Sequence, residues 1–264
     1  MKLIDAHNHM HDARLAPHRG EILAQLSRLS LERAIVNGTR EDDWDAVATL
    51  CGEHAFAIPS FGLHPWYIAD RTPHWLDSLH KQLYSHPNAG VGEIGLDRWI
   101  KGHDLAAQSE VFLAQLALAA ELNRPATIHC LQAWGALDEL LRTHPVPKRG
   151  FLLHAYSGPA EMVAGFTARG GYFSFNAYFL HERKSRQREV FRHIPADRLL
   201  VETDAPDMRP PDERNAHPLR DANIEPINSP ANIALAYEAL AEIRNVPLDS
   251  LVAQVAENFA RLFG

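Results

Sequence analysis

Cysteine is nearly missing from this sequence: only Cys51 and Cys130 occur in 264 residues. Two thiols cannot build a disulfide scaffold, and a reducing compartment suits them. No uninterrupted apolar run approaches the ~20 residues that span a bilayer. The opening MKLIDAHNHMHD meets charge and histidine too early for a signal peptide. The expectation is a cytoplasmic protein without membrane association. A basic excess is missing too. Lys and Arg number 26 against 33 Asp and Glu, giving a net charge of −7, the wrong sign for binding nucleic acid through bulk charge. A polyanionic substrate would therefore need local basic groups or bound metal. A convincing dinucleotide fingerprint is also lacking: GVGEIG at Gly90–Gly95 has the spacing, but a glutamate fills its fourth position. With 46% hydrophobic residues, 15 Gly and 17 Pro, collagen-like, low-complexity and disordered chains are excluded.

Histidine, by contrast, is abundant, at sixteen residues. It is the commonest metal ligand and the usual acid or base near neutral pH, so its distribution along the chain matters.

Eight short β-branched or apolar runs recur, each followed by a longer helical pattern: Leu3–His9, Arg33–Thr39, Ala55–Leu63, Ala89–Leu96, Pro125–Cys130, Gly150–Ser157, Gly171–Asn176 and Leu199–Thr203. Several are continuously apolar, as parallel strands buried on both faces are. Between them, 104–123 carries Phe112, Leu113, Leu116, Ala119 and Ala120 on one stripe, and Ser229-Pro230 marks a helix start. Leu248, Leu251, Val252, Val255, Phe259 and Leu262 form a second stripe. No linker or change of composition interrupts the series. Eight alternations in about 250 residues predict a single α/β domain over 1–264, a (β/α)8 TIM barrel.

Polar residues gather at the ends of these strands. His7 and His9 close strand one, and their i, i+2 spacing points both imidazoles to one side. Strand four carries Glu93, strand five ends in His129, strand six in His154, and strand eight runs into Asp204. A barrel brings these ends to one mouth, where its active sites lie. Four histidines and two carboxylates exceed what one zinc takes and suit two metals sharing a bridging carboxylate. Mixed imidazole and carboxylate donors favour Zn, Mn, Co or Fe, with Mg allowed.

At this point the chain resembles the TatD family of metal-dependent hydrolases, among the amidohydrolase-like barrels. The residues carrying the resemblance run end to end: DAHNH, GLHP at Gly62–Pro65, GEIGLD at Gly92–Asp97, Gln108 and Gln115-Leu116, Ile128-His129, His154, ETDAP at Glu202–Pro206, and Arg261-Leu262-Phe263. The resemblance implies one divalent metal on His7, His9, Glu93 and Asp204, and a second on Glu93, His129 and His154. Asp204 would accept and shuttle the proton, Glu93 would bridge, and His64 would hold a substrate oxygen. The implied activity is a phosphodiesterase, a deoxyribonuclease cutting single-stranded DNA from its 3′ end.

Three departures favour an alternative, a two-metal hydrolase of a small ester, lactone, amide or phosphoester. Leu131 stands where the family has an arginine, Asp207 adds a carboxylate at the mouth, and strand seven lacks the usual glycine. Arg183 to Arg188, just after Tyr178 and Phe179, argues the other way, since cations beside aromatics bind single strands; a solvated first turn of helix is the simpler reading. Trp99 is expected either beside substrate or as a lid. Oligomeric state is not legible in the sequence.

Overall fold

The computed structural model describes residues 2–264. Its strands are β1 (Leu3–Asn8), β2 (Leu31–Asn37), β3 (Ala57–Phe61), β4 (Gly90–Asp97), β5 (Ala126–Leu131), β6 (Phe151–Leu153), β7 (Gly171–Phe175) and β8 (Leu199–Val201). They form one eight-stranded sheet in chain order, and each successive pair is parallel. The helices are α1 (Arg19–Arg28), α2 (Trp44–Glu53), α3 (Trp75–Ser85), α4 (Leu105–Glu121), α5 (Trp134–Thr143), α6 (Val163–Ala168), α7 (Ser185–His193), α8 (Ile233–Arg244) and α9 (Leu248–Phe263). All eight expected strands are present in the expected order. No described helix is long and apolar enough to cross a membrane.

The sheet closes between its first and last strands. Asp204 N–H donates to the His7 carbonyl at 2.9 Å and His9 N–H to the Ala205 carbonyl at 2.8 Å. Below them the buried Asp5 carboxylate accepts from Thr203 N–H at 3.0 Å and from Thr203 Oγ1 at 2.6 Å. A side chain thus holds the seam beneath two backbone bonds.

Helix α4 shows how packing aims the mouth. Asp104 caps it by accepting from the N–H groups of Ala106 and Ala107, both at 3.0 Å. Its buried face is rotated from the expected stripe: Phe112, Leu116 and Ala119 are buried as read, whereas Gln108 and Gln115 are buried and Leu113 and Ala120 only half so. The amides have backbone partners there. Gln108 accepts from Asp97 N–H and donates to its carbonyl at 2.8 and 2.9 Å; Gln115 does the same at Leu63, at 2.7 and 3.1 Å. Both clamps grip the chain where it leaves a strand for the mouth.

Strands β6 and β8 are shorter than the apolar runs predict. The chain leaves each ladder through a residue in the left-handed region, Ala155 at φ 42° and Asp204 at φ 54°, which turns the strand end into the mouth. A small antiparallel hairpin, β9 (Leu219–Arg220) with β10 (Pro226–Ile227), lies outside the expected alternation. Ser229 and Pro230 open a short 3-10 turn, and α8 begins after it at Ile233.

Candidate metal centre

The ends of β1, β5, β6 and β8 and the middle of β4 bring His7, His9, Glu93, His129, His154 and Asp204 to one point. His7 Nε2 and His9 Nε2 lie 3.2 Å apart. Glu93 Oε2 is 3.4 and 3.3 Å from them, and Asp204 Oδ1 is 3.3 and 3.4 Å away. These are five edges of a four-cornered figure. A regular tetrahedron of such an edge has its centre about 2.0 Å from each corner, the length of a zinc–nitrogen or zinc–oxygen bond. The donors therefore fit a divalent cation.

Glu93 turns its other oxygen to a second pole. Oε1 is 3.2 Å from His129 Nδ1, 2.9 Å from His154 Nε2 and 3.3 Å from His64 Nε2, and His129 Nδ1 lies 3.3 Å from His154 Nε2. One carboxylate thus faces both clusters, as a bridging ligand must.

The remote ring nitrogens sort these histidines. His9 Nδ1 sits 2.8 Å from the Asn37 carbonyl, which can only accept, so Nδ1 carries the proton and Nε2 offers a lone pair. His129 Nε2 lies 2.9 Å from Asp97 Oδ2; that carboxylate likewise claims the proton and leaves Nδ1 free to ligate. Burial raises the Asp97 carboxyl, but the bond with His129 overcomes it and holds the group at about 2. His64 is the opposite case. Its Nδ1 accepts from Trp66 N–H at 3.1 Å, so the neutral ring carries its proton on Nε2 and presents a donor to the centre. Burial depresses its pKa to about 4 and keeps it neutral. His64 is shaped to hold an oxygen rather than a metal.

His7 has Asn37 Nδ2 3.0 Å from its Nδ1, while Asn37 Oδ1 is buried without a partner. Turning that carboxamide over gives Oδ1 the Nδ1 proton and frees His7 Nε2, the arrangement a cation requires. The electrostatics agree. Burial opposes charging His9, yet Asp204 and Glu93 lift it well above the usual imidazole range; Glu93 and Glu202 do the same to buried His154. Burial raises Glu93 and Asp204 as well, but the surrounding histidines pull both below the usual carboxylate range. The cluster attracts positive charge.

Sequence reasoning missed the supports. Asn37 ends β2, and the strand-end rule that found the histidines reaches it too. Glu202 is fully buried, accepts from Ser174 Oγ and from Asn176 Nδ2 at 3.3 Å, and places Oε1 3.6 Å from His154 Nδ1. With His7 and His154 it forms a third group of potential ligands. Asp97 and Glu202 both lie inside quoted motifs, without a role read for either.

A cleft of about 650 Å³ opens above the centre. At its rim Asp207 is not a free carboxylate. Arg14 donates to both its oxygens at 2.9 Å while also binding Asp12, so one cation is shared by two carboxylates and the expected repulsion of a polyanion is reduced. Trp99 is 68% exposed and does not line the cleft. Trp66 does line it and donates from Nε1 to Asp97 Oδ2 at 2.7 Å. The basic run divides: Arg188 donates to the carbonyls of Phe179 and His181 at 2.6 and 2.8 Å, whereas Lys184 lines the cleft. Cys130 is buried beside His129, and burial pushes its thiol far up, as a core filler requires.

A parallel eight-stranded barrel with imidazoles and carboxylates converging at its C-terminal mouth defines a metal-dependent hydrolase. The model of the family described as TatD related DNase matches residues 4–264, and the chain belongs to that family. The metal-dependent hydrolase YabD of Bacillus subtilis (strain 168) is 29% identical over 264 residues, covering 99% of this chain and 98% of YabD. The 3′-5′ ssDNA/RNA exonuclease TatD of Erwinia amylovora is 29% identical over 251 residues, 94% of this chain and 95% of that protein. The crystal structure of YjjV, a TatD homologue from Escherichia coli K12, superposes with a TM-score of 0.89 at 25% identity, covering 99% of this chain and 97% of YjjV.

Proposed function

We propose that this chain is a cytoplasmic phosphodiesterase, one domain over 1–264, that removes nucleotides from the 3′ end of single-stranded DNA. His7, His9, Glu93 and Asp204 would hold one divalent ion, and Glu93, His129 and His154 a second. The observation that carries the reading is the division of the histidines into bare-nitrogen donors and one N–H donor, His64, around a two-faced Glu93. Bound there, divalent ions acidify water and polarise a phosphoryl oxygen. The chain's own groups do the rest. Asp204, ionised by its contacts with His7 and His9 against the pull of burial, accepts the proton of the attacking water and can return it to the departing sugar oxygen. His64 Nε2–H donates to a non-bridging phosphate oxygen. Relatives named as 3′-5′ ssDNA/RNA exonucleases, matching over nearly the whole chain, support a single-stranded nucleic acid as substrate. One motive for the small-substrate alternative is weakened, since Asp207 shares Arg14 with Asp12. The two free thiols fit a reducing cytoplasm.

The test is metal content measured beside degradation of a single-stranded oligonucleotide. Two equivalents of metal are expected, with mononucleotide release abolished by chelator. His7→Ala and Asp204→Asn should each lower the rate at least about a hundredfold. An intact oligonucleotide across Mg, Mn, Co and Zn would sink the reading.

A further inference from the structure

Three cationic side chains line the cleft: Arg14, Arg40 and Lys184. Arg14 is engaged by Asp12 and Asp207, and Arg40 by Asp42 at 2.8 Å. Lys184 has no acidic partner among the described residues. Its Nζ stands 5.1 Å from the ring centroid of Tyr178, which lines the same cleft. Arg183 completes the group, with its guanidinium carbon 5.3 Å from that centroid and Nη2 donating to Tyr178 Oη at 2.7 Å.

The Tyr178 platform is tied to the metal centre. Its backbone N–H donates to Asn176 Oδ1 at 3.1 Å, and Asn176 Nδ2 reaches Glu202, the carboxylate beside His154. Beneath it Phe179 is fully buried, with its ring against those of Phe175 and Phe191. The backbone bond anchors Tyr178 at the rim; a base stacking on its ring takes the place of a cation that now lies over it, and Lys184, with no ion pair to break, is then released to a phosphate.

Resting on the proposed nuclease activity, we infer that Tyr178 and Lys184 form the subsite for the nucleotide next to the one being removed. Tyr178 stacks its base and Lys184 binds the phosphodiester adjacent to the scissile one. The site then distinguishes a substrate with two phosphodiesters from one with a single bond, so the enzyme prefers strands of three nucleotides or more.

The experiment compares a dinucleotide, a trinucleotide and a dodecanucleotide across a salt series. Lys184→Gln should raise KM for the two longer substrates about tenfold more than for the dinucleotide. It should also reduce the slope of log affinity against log salt by about 0.7, one phosphate's worth for a single strand. Tyr178→Ala should raise KM about tenfold on all three substrates, since even the dinucleotide has a base next to the one removed. Lys184→Arg and Tyr178→Phe should recover most of each effect. Arg186→Gln removes an equal charge from the exposed side of α7 and should keep the wild-type salt slope. Equal losses on all three lengths in Lys184→Gln, an unchanged KM in Tyr178→Ala, or the same slope change in Arg186→Gln overturn the subsite while leaving the nuclease intact. A metal-loaded wild type that cleaves none of the three overturns the nuclease reading, and the subsite falls with it.

Discussion

Asp97 shows how a metal site depends on side chains that never touch metal. Its Oδ2 takes the Nε2 proton of His129 and the Nε1 proton of Trp66, while Oδ1 accepts from Trp99 N–H at 2.6 Å and Ile100 N–H at 3.1 Å. Every lone pair used is one that only a carboxylate supplies. Asp97→Asn sets an N–H against another N–H in either orientation of the amide, and it loosens His129. The second metal equivalent should then bind about 10–100-fold more weakly, as measured by calorimetric titration, while the first is little changed. Unaltered affinity for both equivalents would refute the orienting role. The residues that converge at the mouth were readable from sequence because strand ends and i, i+2 spacing are local. The pairing of Arg14 with Asp207 was not, since its partners lie 193 positions apart and only closure of the barrel makes them neighbours. Asp207 read alone looked like a repulsive charge for that reason.

At the level of elements, Gly95 governs how closely β4 approaches β5. Its φ is 151°, and a Cβ there would stand 1.9 Å from the His129 carbonyl oxygen. Backbone cannot yield as a flexible side chain can, so Gly95→Ala must push β5 and its histidine outward. The expected outcome is a loss of more than about 3 kcal/mol in stability, read from urea unfolding, together with loss of metal at His129. A variant with wild-type midpoint would show that the strands can separate freely. All eight strands were legible because parallel strands buried on both faces form continuous apolar runs. Strand length was less so. Ala155 leaves β6 through the left-handed region although nothing in its side chain favours that conformation, and the apolar run gives no warning of the exit. The α4 stripe was rotated for a related reason: hydrophobicity alone cannot foresee that Gln108 and Gln115 are satisfied by backbone groups of distant strands.

Across the whole molecule, the seam between β1 and β8 carries a buried carboxyl group beneath its two backbone bonds. Burial raises Asp5 to about 7 despite the hydrogen bonds from Thr203. The folded chain therefore keeps a proton that the unfolded chain releases near pH 4. Protons are bound more tightly in the folded state, so this group's contribution to stability is lost as pH rises from about 4 to about 7. Asp5→Asn keeps the shape without the titration. Relative to that variant, the wild type should lose up to about 4 kcal/mol across the window, seen in urea midpoints taken in chelator. A difference between the two that does not vary with pH would rule this out.

The same seam sets an order of events during synthesis. His7 and His9 leave the ribosome long before Asp204, a gap of about 200 residues, or roughly ten to forty seconds of translation at about 5–20 residues per second. Throughout that interval the histidine pair is an incomplete chelator with no opposing carboxylate from β8. On the proposed ligand set, the site that Asp204 completes would wait for the last strand to dock, and a chain released before β8 would lack one of its four ligands.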